Sequence, residues 1–157
     1  MTFMRLSGTI LTVVLALAIT PVSAFATDKT EVLAAVHQFF DNLDPGHLQK
    51  ALAVCDSPVS IIDEIPPHEW SGPTACADWW KALNEYNDKN GITGLTGTRG
   101  TPWSVEVTGD RAYVVLPATE AYKQNGELVS EPHCVLTVAL KLTPAGWRIT
   151  AWAWSKH

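Results

Sequence analysis

The last third of the chain limits its fold more than any other part. Four runs of strand-forming residues follow one another there: Trp103–Thr108, Arg111–Lys123, His133–Leu142 and Trp147–Ser155. Gly109-Asp110 and Asn125-Gly126 are tight-turn signals, and Asn-Gly is the strongest hairpin marker a sequence can carry. A third turn falls at Thr143–Gly146. Strands joined in succession by hairpins form an antiparallel meander, and one face of such a sheet must be covered.

The cover comes from upstream. Asp28–Asn42 reads as a helix, with Asp28 as cap and Glu31 three residues on. Val32, Val36, Phe40 and Leu43 share its buried face. Asp44-Pro45 restarts the chain into a second helix carrying Leu48, Ala51, Leu52 and Cys55. A short strand, Val59–Asp63, precedes a loop at Ile65–Trp70, where Pro66-Pro67 cannot continue a ladder. Gly72-Pro73 opens a third helix and Gly91 ends it, with Cys76, Trp79 or Trp80, Leu83, and Tyr86 or Asn87 on one stripe. Gly91, Gly94, Gly97 and Gly100 then read as a flexible connection into the sheet. The expected class is α+β: three N-terminal helices packed in a strongly curved antiparallel sheet.

Arg5 is the only charge before Asp28, Leu6–Val22 is mostly apolar, and Ala24-Phe25-Ala26 has small-x-small form. That is the pattern of a cleaved secretory leader, residues 1–26, leaving a single domain, 27–157. Export to the periplasm or the extracellular space follows, with no membrane attachment after cleavage. The formal net charge is -5, and Lys and Arg form no patch. A nucleic-acid or anionic-membrane surface is therefore not expected. An oxidising compartment allows one disulfide with one thiol left over: Cys55, at the end of one predicted helix, and Cys76, at the start of the next, are the pair placed for it, and the alternative is three buried thiols with Cys134 among them.

The element order, together with Gly146-Trp147-Arg148-Ile149-Thr150-Ala151-Trp152 at the close and Asn42-Leu43-Asp44-Pro45-Gly46 after the first helix, resembles the nuclear transport factor 2-like superfamily. That group includes the SnoaL-like proteins and the ketosteroid isomerases. The resemblance covers nearly the whole domain. It implies a cone-shaped α+β barrel with an internal pocket and a homodimer formed through the sheet.

Alternation along the strands assigns faces. Cys134, Leu136, Val138, Leu140 and Leu142 point inward from one strand; Ala112, Val114, Leu116, Ala118, Glu120 and Tyr122 do so from another. Glu120 and Tyr122 fall near the end of that face, at the cone mouth, although the plainer reading ends the sheet there and leaves both in water. On the last strand Trp147, Ile149, Ala151 and Ala153 read as the inner wall. Trp152 and Trp154 then lie outside, as a homodimer surface.

Asp63 ends an apolar strand. By resemblance it takes the place of the ketosteroid isomerases' general base, and a carboxylate in an apolar pocket has the raised pKa a base needs. The oxyanion donors of those enzymes are replaced: Phe39 stands at the Tyr position and Val138 at the Asp position, and neither can donate. Steroid isomerisation is therefore excluded as a direct reading. His68, on the adjacent loop, is a second candidate acid or base or a ligand contact, the plainer reading leaving it in solvent; Tyr122 is another candidate acid. Trp79, Tyr86 and Trp103 are the aromatics expected around a ligand. No His or carboxylate spacing matches a metal site, and no phosphate or dinucleotide loop occurs, so neither metal nor cofactor is expected.

Three functions remain: a SnoaL-like domain binding a small apolar or aromatic molecule, a lyase or isomerase using Asp63 as base, or an accessory domain acting through its sheet face. The leader carries its own test. Mass spectrometry of the exported protein should give a mature chain starting at Thr27; an intact residue 1 in that fraction would remove the cleavage reading, and absence of the protein from that fraction would remove export.

Overall fold

The computed structural model describes residues 24–43 and 46–156, with side chains from residue 29. Residues 1–23 of the expected leader and the Asp44-Pro45 restart lie outside the described residues; the last three leader residues, Ala24–Ala26, belong to the first helix, which therefore starts ahead of the expected cap at Asp28. The elements are α1 Ala24–Phe40, α2 Leu48–Leu52, β1 Cys55–Ile62, β2 Glu69–Gly72, α3 Ala75–Lys89, β3 Ile92–Arg99, β4 Ser104–Thr108, β5 Arg111–Gln124, β6 Glu127–Thr143 and β7 Gly146–Ser155. The class is α+β, with the helices against one curled seven-stranded sheet in the order β2-β1-β7-β6-β5-β3, and with β4 also on β5. The sheet is mixed rather than wholly antiparallel, because β1 runs parallel to β7. A parallel neighbour needs a long crossover, and the chain from α3 to β6 supplies it.

Two strands were not expected. Asp63 N–H donates to the His68 carbonyl (3.1 Å) and His68 N–H to the Ile65 carbonyl (2.8 Å), so Pro66-Pro67 occupies only a hairpin tip. Pairing then resumes as β2, with Trp70 opposite Ile61 and both buried. The glycine-rich stretch is β3. It pairs with the C-terminal half of β5, with a register shift between Thr93 and Thr96 that includes Gly94 at φ +63°. β4 pairs with the N-terminal half of the same β5 edge. Pro117 sits at the handover. Its carbonyl accepts from Gly100 N–H (2.9 Å), so its missing N–H faces the same gap and no ladder bond is lost.

Inward alternation on β5 and β6 is as expected. Ala112, Val114, Leu116, Ala118, Cys134, Leu136, Val138 and Leu140 are all buried, while Leu142 is exposed at the sheet end. On α1 the buried residues are Val32, Ala35, Val36 and Phe39; Phe40 is only half-buried. β7 departs from the expectation. Ala139 pairs with Ala151 but Leu140 pairs with Ile149, so Thr150 is an extra residue whose hydroxyl donates to the Ala139 carbonyl (3.2 Å). The bulge reverses the alternation beyond it. Trp152 is buried and Trp154 packs on the core, while Ala151 and Ala153 take the opposite face. Trp152 and Trp154 therefore form no outer surface.

Cys55 and Cys76 are joined in a disulfide that ties the start of β1 to the start of α3; Cys134 is a buried free thiol. The bridge closes a loop of sequence separation 21, for which chain entropy gives about 3 kcal/mol. Replacing both cysteines with serine should lower the unfolding free energy, measured by chemical denaturation, by about 3 kcal/mol, and a value unchanged from the oxidised parent would count against the bridge.

Candidate functional site

A cavity of about 570 Å³ lies between α3 and the concave face of the sheet. Its apolar wall comes from three directions. Trp79, Trp80, Leu83 and Tyr86 follow helical spacing on α3; Phe40 ends α1; Trp152 and Trp154 stand on β7 where the bulge has turned them inward. The Trp79 and Trp152 rings meet edge to face, with centroids 4.7 Å apart. Trp79 is buried in the core and Trp80 half-buried at the rim, since adjacent helical positions cannot both face inward.

Asp63 follows β1 directly and is the only buried charged residue among those described. Its Oδ2 accepts from Trp79 Nε1 (2.9 Å) and its Oδ1 from Ile65 N–H (3.2 Å). Burial raises its pKa, and these two bonds offset part of the rise because they favour the ionised form. Glu120, on β5, lines the same cavity. Burial pushes it up to about 7; Lys156 opposes the rise, while the charges of Glu64, Glu131 and Asp63 add to it. Its carboxyl has no hydrogen-bond or ion-pair partner among the described residues.

Lys156, just past β7, contacts Glu64 Oε1 (2.5 Å) and Glu131 Oε2. Glu131 is turned inward by a second irregularity: β6 holds one more residue than β5 between the Ala118–Cys134 and Glu120–Glu131 pairs, with His133 at φ 70°. Tyr122 donates its hydroxyl to Glu131 Oε1 (2.7 Å). That bond, and then burial, pushes the phenol up to about 12. Burial would raise Glu131, but the bonds from Lys156 and Tyr122 outweigh it and hold the carboxyl low. Burial would likewise lower Lys156, but its bonds to Glu131 and Glu64 outweigh that and keep the ammonium charged. Glu64, Glu120 and Glu131 present carboxylate oxygens within 4.8 Å of one another, a grouping that could hold a metal ion. The Lys156 ammonium already sits against two of the three.

Of the expected site residues, Asp63, Trp79, Tyr86, Glu120 and Tyr122 come together in this one cavity. The plainer reading of Glu120 and Tyr122, a sheet end in open water, is thereby corrected. Two candidates fall elsewhere. His68 is exposed at the β1–β2 hairpin tip, and its Nδ1 lies 3.3 Å from the backbone carbonyl of Asp63, not from its carboxylate. Trp103 is 65% exposed and lines a separate outer hollow with Thr98, Pro117 and His133. Phe39 and Val138, at the positions of the isomerase oxyanion donors, are both fully buried and apolar. Sequence reading missed Glu64, Glu131, Lys156, Trp152 and Trp154 as wall residues or their partners; both strand irregularities are invisible to simple alternation.

No protein-family model and no curated protein matches the sequence. Solved structures do. A nuclear transport factor 2-like protein with a cystatin-like fold from Novosphingobium aromaticivorans aligns at TM-score 0.68 with 17% identity, over 83% of this chain and 82% of its own. A ketosteroid isomerase-like protein from Erwinia carotovora atroseptica aligns at 0.66 with 13% identity, over 84% and 98%. A nuclear transport factor 2 superfamily protein from Salmonella enterica serovar Typhimurium aligns at 0.65 with 18% identity, over 85% and 93%. At these identities the likeness establishes the fold.

The Glu120 environment sets a pH dependence. Between the ordinary carboxyl value of 4.5 and about 7, the folded chain keeps a proton that the unfolded chain has released. Stability therefore falls as pH rises through that window. Glu120→Gln should be near neutral at pH 5 and stabilising by roughly 1–2 kcal/mol at pH 8. Chemical denaturation at both values tests this, and a difference independent of pH would refute the assignment.

Proposed function

Because the chain has the nuclear transport factor 2-like fold, we propose that it is an exported domain that binds a small, flat, mainly apolar molecule inside its cone. The observation that carries this reading is a cavity of about 570 Å³ walled by Phe40, Trp79, Trp80, Tyr86, Trp152 and Trp154. The volume falls in the usual range for small-molecule sites, and so does the pattern of apolar walls around a few convergent polar groups. The Cys55–Cys76 bridge supports export, since such bonds persist in oxidising compartments. A homodimer through the outer sheet face remains part of the proposal, but it rests on small side chains such as Ala151 and Ala153 rather than on tryptophans.

A second reading, a lyase or isomerase, is favoured by one observation: the Asp63 carboxylate is buried in the cavity wall with a raised pKa. As base it would take a proton from beside a carbonyl. Glu120, still protonated below about 7, is better placed than His68 to supply the acid. Binding ranks first because Phe39 and Val138 provide no oxyanion donor and the Tyr122 hydroxyl is committed to Glu131.

A neutral flat probe, 2-naphthol, tests the cavity by calorimetry. Saturable binding with a Kd on the order of 100 µM is expected. Ala118→Trp, which fills the wall from β5, should weaken it at least about tenfold, the loss expected when 1.4 kcal/mol of contact is removed. Asp63→Asn should retain binding under either reading and abolish turnover only under the second. Absence of saturable binding, or binding indifferent to a folded Ala118→Trp variant, would dismiss the pocket.

A further inference from the structure

The cavity contains more negative charge than its own cations neutralise. Asp63, Glu64 and Glu120 stand in its wall, and Glu131 touches Lys156 beside them. Among the described residues two cations line the cavity. Arg99 lies over the Phe40 ring and is paired with Asp41, its Nε buried without a partner. Lys156 is shared between Glu64 and Glu131. Asp63 has the Trp79 and Ile65 N–H groups. Two wall carboxyls, Glu120 and Asp88, have neither a hydrogen bond nor an ion pair among the described residues; Asp88 is exposed on α3, whereas Glu120 is partly buried.

We propose that the guest is an organic cation, a flat apolar body bearing an amine or quaternary ammonium, with the charge against Glu120 and the body among the indoles of Trp79, Trp80, Trp152 and Trp154. The proposal rests on the small-molecule reading above and names its ligand class. Aromatic faces carry negative quadrupoles that attract cations, most strongly where water is excluded. The indoles offer a hard metal ion no oxygen ligands, and of the three clustered glutamates two already contact the Lys156 ammonium. An anionic guest would meet like charge from Asp63 and, above a pH of about 7, from Glu120.

The environment of Glu120 is consistent with this. Asp63 and Glu64 face it from the end of β1 and the hairpin beyond, Glu131 and Cys134 from β6, and Lys156 from the end of β7. With a carboxyl near 7 in that setting, a cationic guest binds with loss of the Glu120 proton. Its affinity falls as pH drops below about 7.

The test compares 2-naphthylmethylamine with its neutral analogue 2-naphthylmethanol at pH 8 by calorimetry. The amine should bind at least about tenfold more tightly, equivalent to 1.4 kcal/mol. Glu120→Gln should bring the two within about twofold, as a contact worth under 0.5 kcal/mol allows, with the alcohol unaffected. Glu120→Asp, which keeps the charge, should preserve the order, and circular dichroism should show both variants folded. Equal affinities in the parent would overturn the cation proposal and leave the pocket standing. Binding of neither compound to folded protein would overturn both. Displacement of the amine by millimolar calcium would transfer the site to a metal and overturn the proposal.

Discussion

The cavity exists because α3 is held to β1 at two levels. The Cys55–Cys76 bridge fixes the start of each element, and the Trp79 indole N–H bonds the Asp63 carboxylate at the end of β1. The first contact is covalent; the second is a charge-assisted hydrogen bond in an apolar setting, where the cost of leaving either group unpaired is highest. Between them the helix is kept at a set distance from the sheet. Trp79 then meets Trp152 edge to face across the gap. If α3 moved onto the sheet the cavity would fill; if it moved away Asp63 would hydrate and its raised pKa would relax. Fold and site chemistry thus share one contact.

The sequence was legible where a strand keeps its period and illegible where it does not. Val114, Leu116, Leu136 and Val138 alternate without interruption, and their burial follows from spacing alone. Thr150 adds one residue to β7, and every position beyond it changes face; nothing in Ile149-Thr150-Ala151-Trp152 marks the insertion. Two tryptophans assigned to an outer surface therefore line the inside. A bulge is selected by tertiary pairing, in this case the Thr150 hydroxyl on the Ala139 carbonyl, so local pattern carries no trace of it. β2 and β3 were hidden differently. Proline and glycine suppress the strand signal, yet Pro66-Pro67 needs only the hairpin tip and the β3 glycines lie on a strand bonded along one edge.

The site divides the same way. Asp63, Trp79, Tyr86, Glu120 and Tyr122 were found because strand ends and helical stripes locate them. Lys156, Glu64 and Glu131 come from three separate segments that meet only when the sheet curls. His68 and Trp103 were chosen for residue type and neighbourhood in sequence, and the hairpin tip and the outer sheet face took them away from the cavity.

The meeting of those segments explains why so many carboxyls can share one end of a small domain. A buried ionised carboxylate without a partner is costly, and a protein can meet that cost with a hydrogen bond, a counter-ion or a proton. Each device appears here. Asp63 has N–H donors, Glu64 and Glu131 have the Lys156 ammonium, and Glu120 has a pKa near neutrality. The proton is the only one of these that a guest can replace without breaking a bond inside the protein. On the proposal of a cationic guest, Glu120 is the group that answers the guest's charge, while Lys156 stays between Glu64 and Glu131. A neutral guest leaves that proton in place; a cationic one releases it and gains the attraction of the carboxylate left behind.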